Sequence, residues 1–220
     1  METATTESKL QKTIAESKKI SYEEFLEQFD EDTWAEWVDG EIIMVPSATE
    51  RHQDISVFLT TLLRLYVDSR KLGKLSNAPY QMKLEFSGRE PDIIFISSRH
   101  LDRVKNDYLY GPADMIVEIA SPESMRRDRG DKFYEYESAG IQEYWLIDPI
   151  RKQAEFYGLG TDKLYHLIST DVEDIYHSEI IKGFWLRISW LWEEPLPSAL
   201  DAWQEINRDS KDGVMVRYSA

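Results

Sequence analysis

Residues 113–121 read ADMIVEIAS, and together with PDIIFIS at 91–97 they decide the fold. Both are short apolar runs rich in β-branched residues, the second with Phe95, and neither alternates with polar residues, the pattern of strands covered on both faces. A third such run, EYWLID at 143–148, is stopped by Pro149. Around these runs the period changes. From Glu50 to about Arg70, Ile55, Phe58, Leu59, Leu62, Leu63 and Tyr66 recur at helical spacing, with Gly73 as the expected stop. Glu123 to Ser138 also reads as helix, carrying Phe133, Tyr134 and Tyr136 and ending at Ala139-Gly140. Residues 74–85 read as one strand, and 99–104 as a helical turn. The order over 50–148 is therefore α-β-β-β-α-β, an α/β layer on a mixed sheet.

Further out, Ser21 and Glu24 spell a capping box for a short helix to about Gln28. Asp39-Gly40 between WAEWV and EIIMV is a hairpin signal, closed by Pro46. Residues 153–158 and 164–169 alternate as an antiparallel pair around Gly158-Leu159-Gly160, and 183–203 holds short aromatic strand-like pieces followed by a helix. A single domain over 21–205 is expected, with tails at 1–20 and 206–220.

Bulk properties bound the function. The chain has 220 residues, 42% hydrophobic and 12% aromatic, which suits a globular domain with a sizeable core. No apolar run is long enough to span a bilayer, and METATTESKLQK has no apolar signal region. The absence of cysteine excludes disulfides, thiolate zinc sites and cysteine nucleophiles, and fits a cytoplasmic location. His52, His100, His166 and His177 lack metalloprotease-like spacing. The net charge of −15, taken whole, argues against a nucleic-acid partner. Its distribution weakens that objection. Residues 21–50 hold ten acids and no Lys or Arg, whereas residues 51–150 hold 14 bases and 16 acids. A near-neutral middle is compatible with a local basic face and does not require one.

Charge inside an apolar run is costly, so it marks candidates for chemistry. Asp92 opens PDIIFIS, and Glu118 stands within MIVEIA. On neighbouring strands the two carboxylates would hold one Mg²⁺ or Mn²⁺, hard ions that take few protein carboxylates and keep several waters. The alternative is that Glu118 faces a solvated edge or pairs with an Arg. A metal-assisted hydrolase also needs a group to position the water and the phosphate. Ala120 stands two residues after Glu118, so that strand supplies no Lys; the next helix carries Asp128 and Lys132 at i, i+4. That spacing alone more commonly means a surface ion pair.

The combination is more specific than its parts. Pro91-Asp92, Val117-Glu118-Ile119, Ser121, Asp128, Lys132, Tyr136, Gly140 and Glu143-Tyr-Trp-Leu-Ile-Asp-Pro149 resemble the Uma-two family of restriction endonucleases, a branch of the PD-(D/E)XK nuclease superfamily. Asp39-Gly40-Glu41, His52, Gly183-Phe184-Trp185 and Trp190-Leu191-Trp192 match as well, so the resemblance covers roughly 21–205. It implies a restriction-endonuclease-like αβββαβ core with an N-terminal hairpin and a C-terminal β/α extension. It further implies a Mg²⁺-dependent endonuclease acting on DNA, with Asp92 and Glu118 on the metal and Lys132, moved from the strand to the helix, positioning water or phosphate. Double-strand cleavage in this superfamily implies two active sites, hence a homodimer. Glu41, His52, Gln81 and Asp128 are lesser pocket candidates. The competing reading is a catalytically inactive nuclease fold that binds nucleic acid or regulates. Tyr144, Trp145, Phe184, Trp185, Trp190 and Trp192 read as core or association surface rather than as base-stacking groups.

Overall fold

A computed structural model describes residues 19–29, 35–44 and 48–215, with side chains through Arg208. Trp34, Pro46, residues 1–18 of the expected N-terminal tail and 216–220 of the C-terminal one lie outside the described residues, while 206–215 continue the last helix and Ile206 is buried in the core. The first helix, α1 (Tyr22–Gln28), carries the full capping box: Ser21 Oγ accepts from Glu24 N–H at 3.1 Å, and Ser21 N–H donates to Glu24 Oε2 at 2.8 Å. Strands β1 (Ala35–Val38) and β2 (Glu41–Met44) pair antiparallel about Asp39 (φ 46°) and Gly40 (φ 86°). Two consecutive left-handed residues are what the right-handed twist of a two-residue hairpin requires.

Helix α2 (Glu50–Arg70) starts where Thr49 Oγ1 accepts from His52 N–H, and it buries all six of the predicted apolar positions plus Val67. Its end differs from expectation. Lys71, in the left-handed region at φ 55°, stops the helix, while Gly73 begins β3 (Gly73–Asn77). A Cβ on Gly73 would lie 2.0 Å from the Ile96 carbonyl oxygen, so glycine serves strand packing there.

The central sheet has the order β11-β10-β9-β8-β6-β3, with β6 (Ile93–Ser97), β8 (Met115–Ile119), β9 (Glu143–Asp148), β10 (Gln153–Leu159) and β11 (Tyr165–Leu167). Only β8 and β9 are parallel, joined by the crossover through α3 (Met125–Asp128) and α4 (Asp131–Ala139). The chain order α2-β3-β6-β8-α4-β9 is the expected αβββαβ core. The expected single helix over 123–138 is two pieces, broken at Arg129-Gly130, so Asp128 and Lys132 lie on different helices. The expected single strand over 74–85 is also two. β3 joins the central sheet, whereas β4 (Gln81–Lys83) joins a second sheet of order β2-β1-β5-β4-β7 with β5 (Ser87–Arg89) and β7 (Tyr108–Tyr110). The turn at Ala78-Pro79-Tyr80 separates them.

Both faces of the central sheet are covered, which explains its unalternating runs. Successive side chains point to opposite faces. Ile93, Phe95, Met115, Val117 and Ile119 pack with α2, while Ile94, Ile96, Ile116 and Leu146 pack with Tyr136 of α4 and Met82 of β4. Glu118 shares the face of Ile116 and therefore looks toward α4. The C-terminal part adds a hairpin of β12 (Ile175–His177) and β13 (Trp185–Arg187), then α5 (Ala199–Met215). Trp145, Phe184, Trp185 and Trp190 are buried here, and Trp192 packs against them, so this aromatic cluster is core.

Candidate active site

The sheet register brings the two candidate carboxylates together. In the antiparallel β6–β8 pair, Ile93 faces Val117, and one further step places Asp92 across from Glu118. Asp92 precedes β6 and is fixed at both oxygens. Oδ2 accepts from Ile119 N–H at 2.6 Å, and Oδ1 accepts from His52 Nε2 at 3.0 Å. His52 reaches it from the first turn of α2.

Glu118 is buried, with both of its hydrogen bonds on Oε1: Lys132 Nζ donates at 2.9 Å and Tyr136 Oη at 2.7 Å. The break at Gly130 starts α4 afresh and sets Lys132 and Tyr136, one turn apart, facing β8. Lys132 Nζ also lies 3.1 Å from Glu36 Oε1 and 3.7 Å from Asp128 Oδ1. Glu36 comes from β1 in the second sheet, where Arg89 Nη1 donates to its Oε2 at 3.1 Å. Arg89 also holds Glu135 of α4 through Nε and Nη2, at 2.9 and 2.7 Å. Arg89 thus ties the helix bearing Lys132 to the sheet bearing Glu36.

One ammonium is shared among three buried carboxylates, and the protonation equilibria reflect the shortage. Burial, opposed by Lys132 and reinforced by Asp128, Asp92 and Glu36, pushes the Glu118 carboxyl up to about 8. Burial also raises Asp128 against the pull of Lys132. For Glu36 burial acts in the same direction, but Lys132 and Arg89 overcome it and hold the group below the usual range. Burial would neutralise Lys132; Glu118, Glu36 and Asp128 outweigh it and keep the ammonium charged. His52 is raised despite burial because Asp92 accepts from it.

These groups line a cavity of about 60 Å³, whose wall includes Glu36, His52, Glu90, Asp92, Glu118 and Lys132. Ser121, Ser124 and Arg127 complete it on the α3 side. Two of its wall residues carry a buried polar atom without a hydrogen-bond partner, His52 Nδ1 and Arg127 Nε. Four carboxylates, those of Glu36, Glu90, Asp92 and Glu118, lie on the wall of this small cavity. Among the described residues, no three His, Asp or Glu side chains form a preformed metal cage.

The lesser candidates separate. His52 lines the cavity, and Asp128 is buried beside Lys132. Gln81 is one step removed, bridging Tyr22 Oη at 2.8 Å and Glu90 Oε1 at 2.9 Å. Glu41 is exposed on β2 and does not line the cavity. Glu36, Glu90 and Arg127 were not singled out from sequence. Glu36 interrupts the apolar AEWV as Glu118 interrupts MIVEIA, so the same rule applied to a shorter run finds it. Glu90 directly precedes Pro91-Asp92, and burial pushes its carboxyl up to about 7.

The model of the Uma2 family, described as "Putative restriction endonuclease", matches residues 22–189. Two uncharacterized proteins of Synechocystis sp. are similar: slr1290, 25% identical over 162 residues (71% of this chain, 83% of that protein), and sll1609, 25% identical over 150 residues (66% and 83%). A crystal structure titled as a putative nuclease belonging to DUF820, from Anabaena variabilis, superposes with a TM-score of 0.67. It is 18% identical, over 79% of this chain and 97% of that one, a likeness of fold.

Proposed function

The chain belongs to the Uma2 family, and on that premise we propose that it is a Mg²⁺- or Mn²⁺-dependent endonuclease that hydrolyses phosphodiester bonds of DNA. The observation that carries this reading is the meeting of Asp92, Glu118 and Lys132 in one cavity, with Lys132 Nζ 2.9 Å from Glu118 Oε1. The donor set fits a hard cation. Mg²⁺ is commonly bound through one or two carboxylates plus waters and substrate phosphate, so a complete protein cage is not required. Asp92 and Glu118 would hold it, since each Asp92 oxygen keeps a second lone pair beside the hydrogen bond it accepts, and both hydrogen bonds to Glu118 fall on Oε1, which leaves Oε2. When bound, the metal supplies Lewis-acid polarisation of the phosphate and of a water.

The chain's own groups have separable tasks. Lys132 keeps its proton, so it acts as a donor that orients the attacking water or a phosphate oxygen, not as the proton acceptor. The pairing of Glu118 and Glu36 with its ammonium fixes that donor before substrate arrives. His52 orients Asp92 through Nε2. Arg127, with a buried Nε lacking a partner, is the cation left to meet the scissile phosphate. A strand Lys is absent at Ala120, and Lys132 stands in its place by reaching over from α4.

The test is cleavage of plasmid and oligonucleotide DNA in Mg²⁺ or Mn²⁺, wild type beside Asp92→Ala and Glu118→Ala. Loss in both variants is expected, and equal activity in all three would sink the reading. Cleaving two strands calls for two sites, so a homodimer belongs to the proposal; light scattering that returns a monomer at working concentration counts against it. No helix among the described residues is long and apolar enough to cross a membrane.

A further inference from the structure

The cavity of about 60 Å³ is too small for a nucleoside. A polymeric substrate can therefore place only its phosphate there, and the flanking sugar and base must lie outside. One wall residue, Ser121, is shared with a neighbouring pocket of about 280 Å³ lined also by Pro122, Met125, Asp148, Ile150 and Arg151. Resting on the nuclease reading, we propose that this pocket is the subsite for the nucleotide next to the scissile phosphate.

Its chemistry suits that occupant. Pro122, Met125 and Ile150 offer apolar surface to a sugar and base edge, and Arg151 offers a cation to the next phosphate. The β9–β10 turn that presents Ile150 and Arg151 is built before any ligand arrives. Asp148 Oδ1 accepts from Ile150 N–H at 3.0 Å and Arg151 N–H at 2.9 Å, and its Oδ2 accepts from Arg151 Nη1 at 3.1 Å. Asp148 is thereby neutralised within the turn, while the Arg151 side chain remains 63% exposed. Ile150 is 69% exposed, a large aliphatic group held in water by a fixed turn. Preorganised apolar and cationic groups cost little ordering when a flexible strand binds.

Because Ile150 is exposed, it can be changed without disturbing the core. Equilibrium binding to a duplex oligonucleotide is measured by fluorescence anisotropy for wild type, Ile150→Glu and Ile150→Lys, with Mn²⁺ affinity by calorimetry as the check on the cavity. A carboxylate beside the strand is expected to weaken binding about tenfold, and a Lys to leave it equal or tighter, since each phosphate contact carries an electrostatic contribution. Mn²⁺ affinity stays at the wild-type value in both. Arg151→Ala is expected to lower the slope of log K against log salt by about 0.9, one phosphate contact. Binding equal in all variants, or lost alike in Glu and Lys, overturns the subsite and leaves the nuclease reading standing. A wild type that does not bind DNA overturns both.

Discussion

Glu118 on β8 and Glu143 on β9 are both buried carboxylates on adjacent strands, yet their surroundings are opposite. Among the described residues Glu143 has no ion-pair cation and accepts from Trp145 Nε1 at 2.7 Å and Ser178 Oγ at 2.8 Å on Oε1, and from Glu179 N–H at 2.9 Å and Ile180 N–H at 3.0 Å on Oε2. It pins the 178–180 turn to the sheet. Glu118 has one donor from a shared ammonium, one from Tyr136, three other carboxylates nearby and a cavity at its side. Burial is thus common to a structural acid and to the acid proposed to hold the metal. What separates them is whether the protein itself satisfies the group.

That contrast can be broken by experiment. The largest effect is expected for Asp92→Ala and Glu118→Ala, which should lower cleavage by about 10³-fold or more, a loss of several kcal/mol of metal-supplied stabilisation. Urea denaturation should show both variants folded. Next comes Glu143→Ala, which strands four donors and should destabilise by about 3–5 kcal/mol in the same denaturation assay, with Mn²⁺ affinity unchanged in the folded protein. If Glu118→Ala proves the less stable of the two, the distinction fails. Lys132→Met should lower cleavage about 10²-fold, comparable to removing one preorganised donor. Mn²⁺ affinity should hold or rise in calorimetry, because a competing cation has left the cavity. The smallest effect is Ser178→Ala, which removes one donor from Glu143 and one acceptor from Ile181 N–H, at about 1 kcal/mol by thermal melting.

The legible parts of the sequence were those written in one local pattern. The capping box at Ser21 and Glu24, the Asp39-Gly40 hairpin and the apolar face of α2 form where the residues place them, because caps, left-handed turns and helical stripes depend on neighbours within a few positions. The three buried strands were legible for the same reason, and so was Glu118, a charge inside one of them. The second sheet was not. Its strands β4, β5 and β7 are three residues each, too short for periodicity, and they join β1 only through the non-local pairing of β5. Glu36 was missed with them, since its role depends on that sheet delivering it to Lys132. Gly130 was read through as helix because Phe133, Tyr134 and Tyr136 carry the pattern past it. The break there is what turns Lys132 inward, so Lys132 was legible as a candidate by resemblance and not by spacing.

The central claim is that Asp92 and Glu118 hold the divalent cation at which DNA is cut. Crystals soaked in Mn²⁺ and measured for anomalous scattering test it directly. The account predicts a peak between the Asp92 and Glu118 carboxylates, on the cavity side of Lys132. A peak elsewhere, or none at a Mn²⁺ concentration that supports cleavage, would contradict it.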